Sequence, residues 1–142
     1  MICVDASVAA KWFFEEEHST LANGLLQRAF ETGESIIAPP LLPSEFTNIL
    51  RQRMRRRLLD RAEARAILTH FLALPIALRA PITLYDRALL LAEGFNLPAV
   101  YDAHYVAVAD LLNATLWTAD QRLPRNLDGK LPFVRSIAEW LP

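Results

Sequence analysis

Short apolar runs alternate along this chain with segments of helical periodicity. The opening ICVD is a β-branched run that ends at Asp5, and SVAAKWFF after it reads as a helix with Ser7 placed to cap it. From His18 to Thr32 the apolar positions Leu21, Leu25, Leu26, Ala29 and Phe30 recur at helical spacing, and Gly33 supplies a stop. SIIAPP reads as a second buried strand ended by Pro39 and Pro40. Ser44 then introduces EFTNILRQRMRRRLL, in which Phe46, Ile49, Leu50 and Met54 form an apolar stripe opposite arginines. Asp60 caps a further helix over Arg61 to Leu72, LPIAL supplies a third strand, and ITLYDRALLLAEGF is a helix stopped at Gly94. After Pro98, VYDAHYVAVADLL is apolar nearly all round, the mark of a helix buried on most sides. ATLWT is a fourth strand, ADQRL a short helical turn, and LPFV with SIAEW an edge strand and closing turn.

Strands alternating with helices imply an α/β fold whose parallel sheet is covered on both faces. The 142 residues suit one domain, 1–142, with no repeat or linker. Hydrophobic residues make up 53% of the chain and charged residues 22%, a composition that excludes a disordered chain. The single cysteine, Cys3, lies in the apolar opening run, so it packs rather than forming an intramolecular disulfide, and a reducing compartment is the default. The run before Asp5 is too short for a secretory core, and no apolar stretch approaches the roughly 18 residues that cross a bilayer. The expectation is a soluble cytoplasmic protein with no membrane partner. The net charge of -1 conceals an uneven distribution, because seven arginines crowd the segment from Arg51 to Arg65.

Four carboxylates stand at the joints of the pattern: Asp5, Glu45, Asp102 and Asp120. Each lies near a helix start, and Asp5 and Asp120 follow strands, so in a parallel sheet both belong to the edge where ligands bind. Any one of them alone is explained by capping and the helix dipole. Capping does not require one edge to collect several acids, with no lysine, arginine or histidine fixed among them in the local sequence. Two carboxylates about 4 Å apart repel by roughly 4 kcal/mol at an effective dielectric near 20. A divalent cation removes that penalty, and an all-oxygen cluster suits Mg2+, with Mn2+ as a substitute, better than zinc.

The strings VDASVAAKWF, PPLLPSEFTNIL, YDAHYVAVAD and TADQRL resemble, in order and spacing, the motifs of the PIN domain, most closely those of VapC-type toxins. The resemblance runs from Ile2 to about Leu123. It implies a PIN-like three-layer fold with a five-stranded parallel sheet flanked by helices, and a homodimer. It places the family's metal-binding and catalytic acids on Asp5, Glu45, Asp102 and Asp120, and supporting hydroxyls on Ser7 and Thr118. The implied activity is metal-dependent endoribonuclease action on RNA such as tRNA, by a toxin that a VapB-type antitoxin neutralises. A housekeeping RNA-processing nuclease and a non-catalytic binding module of the same fold are the alternatives.

Other features are weighed against plainer roles. Arg51, Arg55, Arg56 and Arg57 are candidates to hold RNA, or else form a solvated helix face. Trp12, Phe13 and Phe14 cannot all be buried on one narrow helix face, so at least one is expected at the surface, and Trp12 and Phe13 are candidate antitoxin contacts. His18, His70 and His104 read as packing or surface residues. His104, two positions from Asp102, falls on nearly the opposite side of its helix.

Overall fold

The computed structural model describes residues 1–142. The chain starts in the middle of its sheet. β1 (Ile2–Val4) pairs in parallel with β2 (Ile36–Ala38) on one side and with β4 (Thr115–Thr118) on the other. β3 (Ile76–Leu78) and β5 (Val134–Ser136) form the edges, giving the all-parallel order β3-β2-β1-β4-β5. The first four strands are those the hydrophobic pattern marks, whereas the edge strand expected on LPFV is displaced toward the C-terminus and shares only Val134 with it. No helix is long and apolar enough to cross a membrane.

Both faces of the central strands are buried, and the two-residue pleat divides them. Ile2, Val4, Ile36 and Trp117 face α2 (Ser19–Thr32) and the closing residues Ile137 and Trp140. Cys3, Ile37 and Leu116 face the larger core, filled from α3 (Leu42–Arg55), α4 (Arg61–Leu72), α5 (Leu84–Gly94) and α6 (Tyr101–Leu111). Cys3 is fully buried and packs, as its setting in the sequence implied. Gly24 of α2 lets the Trp140 ring lie on the helix, since a Cβ there would stand 2.6 Å from a ring carbon.

Several local expectations are corrected. α1 (Ala6–Lys11) is capped by Asp5, whose carboxylate accepts from the Val8 amide, and not by Ser7. Asp5 has the extended backbone that an N-cap requires, whereas Ser7 already lies inside the helix. α3 begins at Leu42 rather than at Ser44, with Pro43 in its first turn, where a missing N–H costs nothing. α5 runs through Gly94, and the left-handed residue that ends it is Asn96 (φ 51). Because α1 stops at Lys11, the aromatic trio lies in a turn and is released from the limit of a single helix face. Phe14 is buried, while Trp12 and Phe13 are half-buried, so none of the three is fully exposed. Trp12 donates Nε1–H to the Ala22 carbonyl at 2.9 Å, and Phe13 packs edge-on to Phe46 and Phe71.

Candidate active site

The sheet order makes the site. After β1 the chain builds outward through β2 and β3, then returns to add β4 and β5 on the other side of β1. The switch point therefore falls between β1 and β4, and the crevice beyond the carboxyl ends of these strands is where open α/β sheets bind ligands. Asp5 leaves β1 into that crevice and Asp120 lies two residues beyond β4. Glu45 comes from the first turn of α3 and Asp102 from the first turn of α6. All four line one cleft of about 440 Å³, together with Ser7, Ser44, Asn48, Tyr101 and Tyr105. Residues separated by more than a hundred positions thus converge as the strand-and-helix pattern required.

Asp5 is the buried centre. Its Oδ1 accepts from the Ser7 hydroxyl at 2.5 Å and from the Val8 amide at 3.0 Å, and its Oδ2 accepts from the Thr118 hydroxyl. The Ser7 oxygen in turn accepts from the Ala119 amide at 2.9 Å, and Thr118 Oγ1 accepts from the Asp120 amide at 3.0 Å. These hydroxyls, expected to support the pocket, tie the ends of β1 and β4 together. Burial pushes Asp5 up to about 6, against the opposing pull of its three hydrogen bonds, and the Asp102 charge adds to the rise. Glu45 is raised by burial and by Asp102, and is held back by the Tyr105 hydroxyl that donates to its Oε2. Asp102 is raised by partial burial and by Asp120, and neither of its oxygens has a protein donor. Asp120 is the exception, lowered chiefly by hydrogen bonds from Arg122.

Arg122 overturns the expectation that no cation is fixed among the acids. Its Nε lies 3.0 Å from Oδ1 of Asp120, one terminal nitrogen 2.7 Å from Oδ2, and its backbone amide 2.9 Å from Oδ1. A guanidinium thus holds the Asp120 carboxylate through a fork, the strongest form of carboxylate pairing. Tyr105 is the other residue the sequence left unassigned. It is fully buried, and its hydroxyl is pushed far above its ordinary range by burial and by Glu45, so it keeps its proton and donates a hydrogen bond to Glu45. Tyr105 lies one helical turn from Tyr101 and three residues from Asp102 on α6, the spacing that would have placed it beside the acids. His104 instead bonds the Val100 carbonyl through Nδ1 and packs edge-on to Tyr85.

The four acids offer a hard dication an all-oxygen donor set with no nitrogen or sulfur competitor, the chemistry that Mg2+ and Mn2+ prefer. As the side chains are oriented, no group of three His, Cys, Asp or Glu residues is disposed to hold a metal ion. Three of the acids are held by protein partners: Asp5 by Ser7 and Thr118, Glu45 by Tyr105, and Asp120 by Arg122. Each carboxylate oxygen has two acceptor sites, so the hydrogen bonds to Asp5 and Glu45 leave capacity for a further partner. The donor chemistry fits, and Asp120 is the one acid that must exchange a cationic partner to join.

Of the arginines, Arg53 turns inward to Glu16 and lies over the Phe14 ring, 3.6 Å from its centroid. Arg51, Arg55, Arg56 and Arg57 are exposed and make no ion pair with any acid of the chain.

Comparison with known proteins identifies the family. The family model described as the PIN domain matches residues 2–128. A VapC ribonuclease of Mycobacterium bovis and a ribonuclease VapC9 of Mycobacterium tuberculosis are each 35% identical over 133 residues, covering 94% of this chain and 96% of the relative. A ribonuclease VapC3 of Pyrobaculum aerophilum is 33% identical over 126 residues, covering 86% of this chain and 91% of the relative. With the topology, the acid-lined switch point and relatives of this kind all in agreement, the chain belongs to the PIN-domain family and is of the VapC type.

Proposed function

We propose that this chain is the endoribonuclease toxin of a toxin–antitoxin pair, hydrolysing phosphodiester bonds of a structured RNA such as tRNA in the cytoplasm. The observation that carries the reading is the convergence of Asp5, Glu45, Asp102 and Asp120 from four elements on one cleft at the sheet's switch point. The relatives' own names, all of them ribonucleases, point the same way.

The four acids are the residues that would hold Mg2+ or Mn2+. A dication supplies Lewis acidity there, making water a nucleophile at neutral pH and offsetting charge on the departing oxygen. Asp5 is the fixed ligand, since three donors hold its carboxylate in place. Asp102 is the acid with no protein donor to give up. Glu45 has one oxygen, Oε1, without a protein donor and a proton affinity raised by burial, which suits it to take the proton that water releases. Ser7 and Thr118 hold Asp5 so that it does not turn away, and Tyr105 does the same for Glu45.

A VapB-type antitoxin is the proposed inhibitor, with Trp12 and Phe13, half-buried beside α3, as contacts. The proposed homodimer is supported by an exposed apolar face on and beside α5, where Ile82, Tyr85, Leu89 and Leu90 all reach solvent.

The test is cleavage of end-labelled RNA in Mg2+ with mapping of the new ends. The reading expects 5′-phosphate and 3′-hydroxyl ends, and loss of cleavage in EDTA or in Asp102→Asn. Cleavage that survives chelation, or a 2′,3′-cyclic phosphate product, overturns it.

A further inference from the structure

We propose that α3 carries a phosphate track, in which Arg51 and Arg55, continued by Arg56 and Arg57, bind the backbone of the RNA strand whose cleaved bond lies in the acidic cleft. The inference rests on the nuclease reading and deepens it: the site takes a polynucleotide that extends along this helix rather than a short fragment confined to the cleft.

Helix geometry is the first support. Ser44 and Asn48 line the cleft and are exposed on α3. Residues three, four and seven apart share a helix face, so Arg51 and Arg55 continue the stripe that begins at Ser44 and Asn48. The buried side of the helix, marked by Leu42, Phe46 and Leu50, lies opposite. The arginines therefore stand on the line that leads out of the cleft. From Glu45 to Arg55 the helix rises about 15 Å at 1.5 Å per residue. At about 3.4 Å per stacked nucleotide that is a reach of roughly four nucleotides.

Charge is the second support. A solvated helix face ordinarily mixes signs and pairs them at i,i+4, whereas like charges at that spacing repel. Arg51 and Arg55 are such a like pair, and nearby acids are engaged elsewhere. Glu16 takes Lys11 and Arg53, Glu45 takes Tyr105, and Asp60 and Glu63 cap α4 through their own capping box. Arg57 closes α3 at φ 58, the left-handed position where glycine or asparagine costs less, so a further guanidinium stands at the helix end. A run of exposed cations with no internal partner, aligned on an acid cleft, is complementary to a polyanion that enters the cleft with one phosphate and leaves several others outside it.

The experiment measures binding of a fluorescein-labelled RNA of about a dozen nucleotides, longer than the roughly four-nucleotide reach, across a salt series. The protein carries Asp102→Asn with Mg2+ present, so that the RNA stays intact. Adding Arg51→Ala, Arg55→Ala, Arg56→Ala and Arg57→Ala should lower the slope of log K against log salt by up to about 3, at about 0.7 per lost phosphate contact. Lysine at the same positions should restore most of the slope, which a merely structural role would not require. RNA binding by the Asp102→Asn protein with a slope that the alanines leave unchanged overturns the track alone. Absence of RNA binding by that protein overturns the nuclease reading and the track together. Intact RNA binding by the alanine variant, with loss of binding to a polyglutamate peptide, assigns the stripe to an acidic protein partner and also overturns the track.

Discussion

Replacing Asp5 by asparagine should make the folded protein more stable, relative to the parent, as the solution becomes more alkaline. Asparagine caps helices as well as aspartate and can still accept from the Val8 amide, so α1 keeps its start. What changes is the charge. Asp5 is raised by burial from its ordinary 3.8 to about 6, which means that the folded state binds its proton more tightly than the unfolded chain does. Such a group lends stability that is fully present below the unfolded value and is lost as pH rises through the folded one. The gap corresponds to about 3 kcal/mol. The asparagine variant has no such loss, so its advantage over the parent should grow by up to about 3 kcal/mol between roughly pH 3 and pH 7, most steeply from about pH 4 to pH 6. Urea unfolding in EDTA at a series of pH values measures this, with an unchanged m-value showing that compactness is preserved. A difference that stays constant with pH, or that grows toward acid, would refute the claim that Asp5 is held ionised at a cost.

Arg122→Ala removes both a competitor for Asp120 and a nearby positive charge, so Mn2+ should bind more tightly, within about fivefold, the scale of an exposed ion pair; calorimetry showing weaker binding would contradict this. Tyr105→Phe leaves Glu45 without its donor and raises its proton affinity further, so the acid limb of the cleavage rate profile should move to higher pH while the far-ultraviolet spectrum stays that of the parent. Gly24→Ala drives a methyl into the Trp140 ring and should cost about 1–3 kcal/mol in urea unfolding, with a change in tryptophan emission before global unfolding.

The architecture was legible because the first four strands are short, largely apolar runs bounded by strong local signals, whereas β5, Val134–Ser136, carries Arg135 and Ser136 and lies later than the apolar run LPFV suggests. Gly33 after α2, Asp60 before α4 and Pro39 after β2 act through their own backbone preferences, so they can be read without knowing the rest of the chain. The four acids were legible for a related reason: parallel topology sends the carboxyl ends of all strands to one edge. What escaped were contacts that neither period describes. Arg122 meets Asp120 at i,i+2 in a turn, where helix spacing gives no guidance. Tyr105 meets Glu45 across 60 residues, and on an otherwise apolar helix its ring reads as core while its hydroxyl does the polar work. Asp5 and Ser7 are both good capping residues, and only the backbone conformation decides between them. The aromatic trio falls outside α1 because the helix ends at Lys11, sooner than its apolar composition suggests.

The proposed nuclease needs four acids, distant in sequence, to act as one seat for a hard dication. Mn2+ titration followed by electron paramagnetic resonance, on the parent and on Asp5→Asn, Glu45→Gln, Asp102→Asn and Asp120→Asn, addresses it directly. Saturable binding by the parent that each replacement weakens is the predicted result. No saturable binding by the parent, or four variants that bind as the parent does, would contradict it.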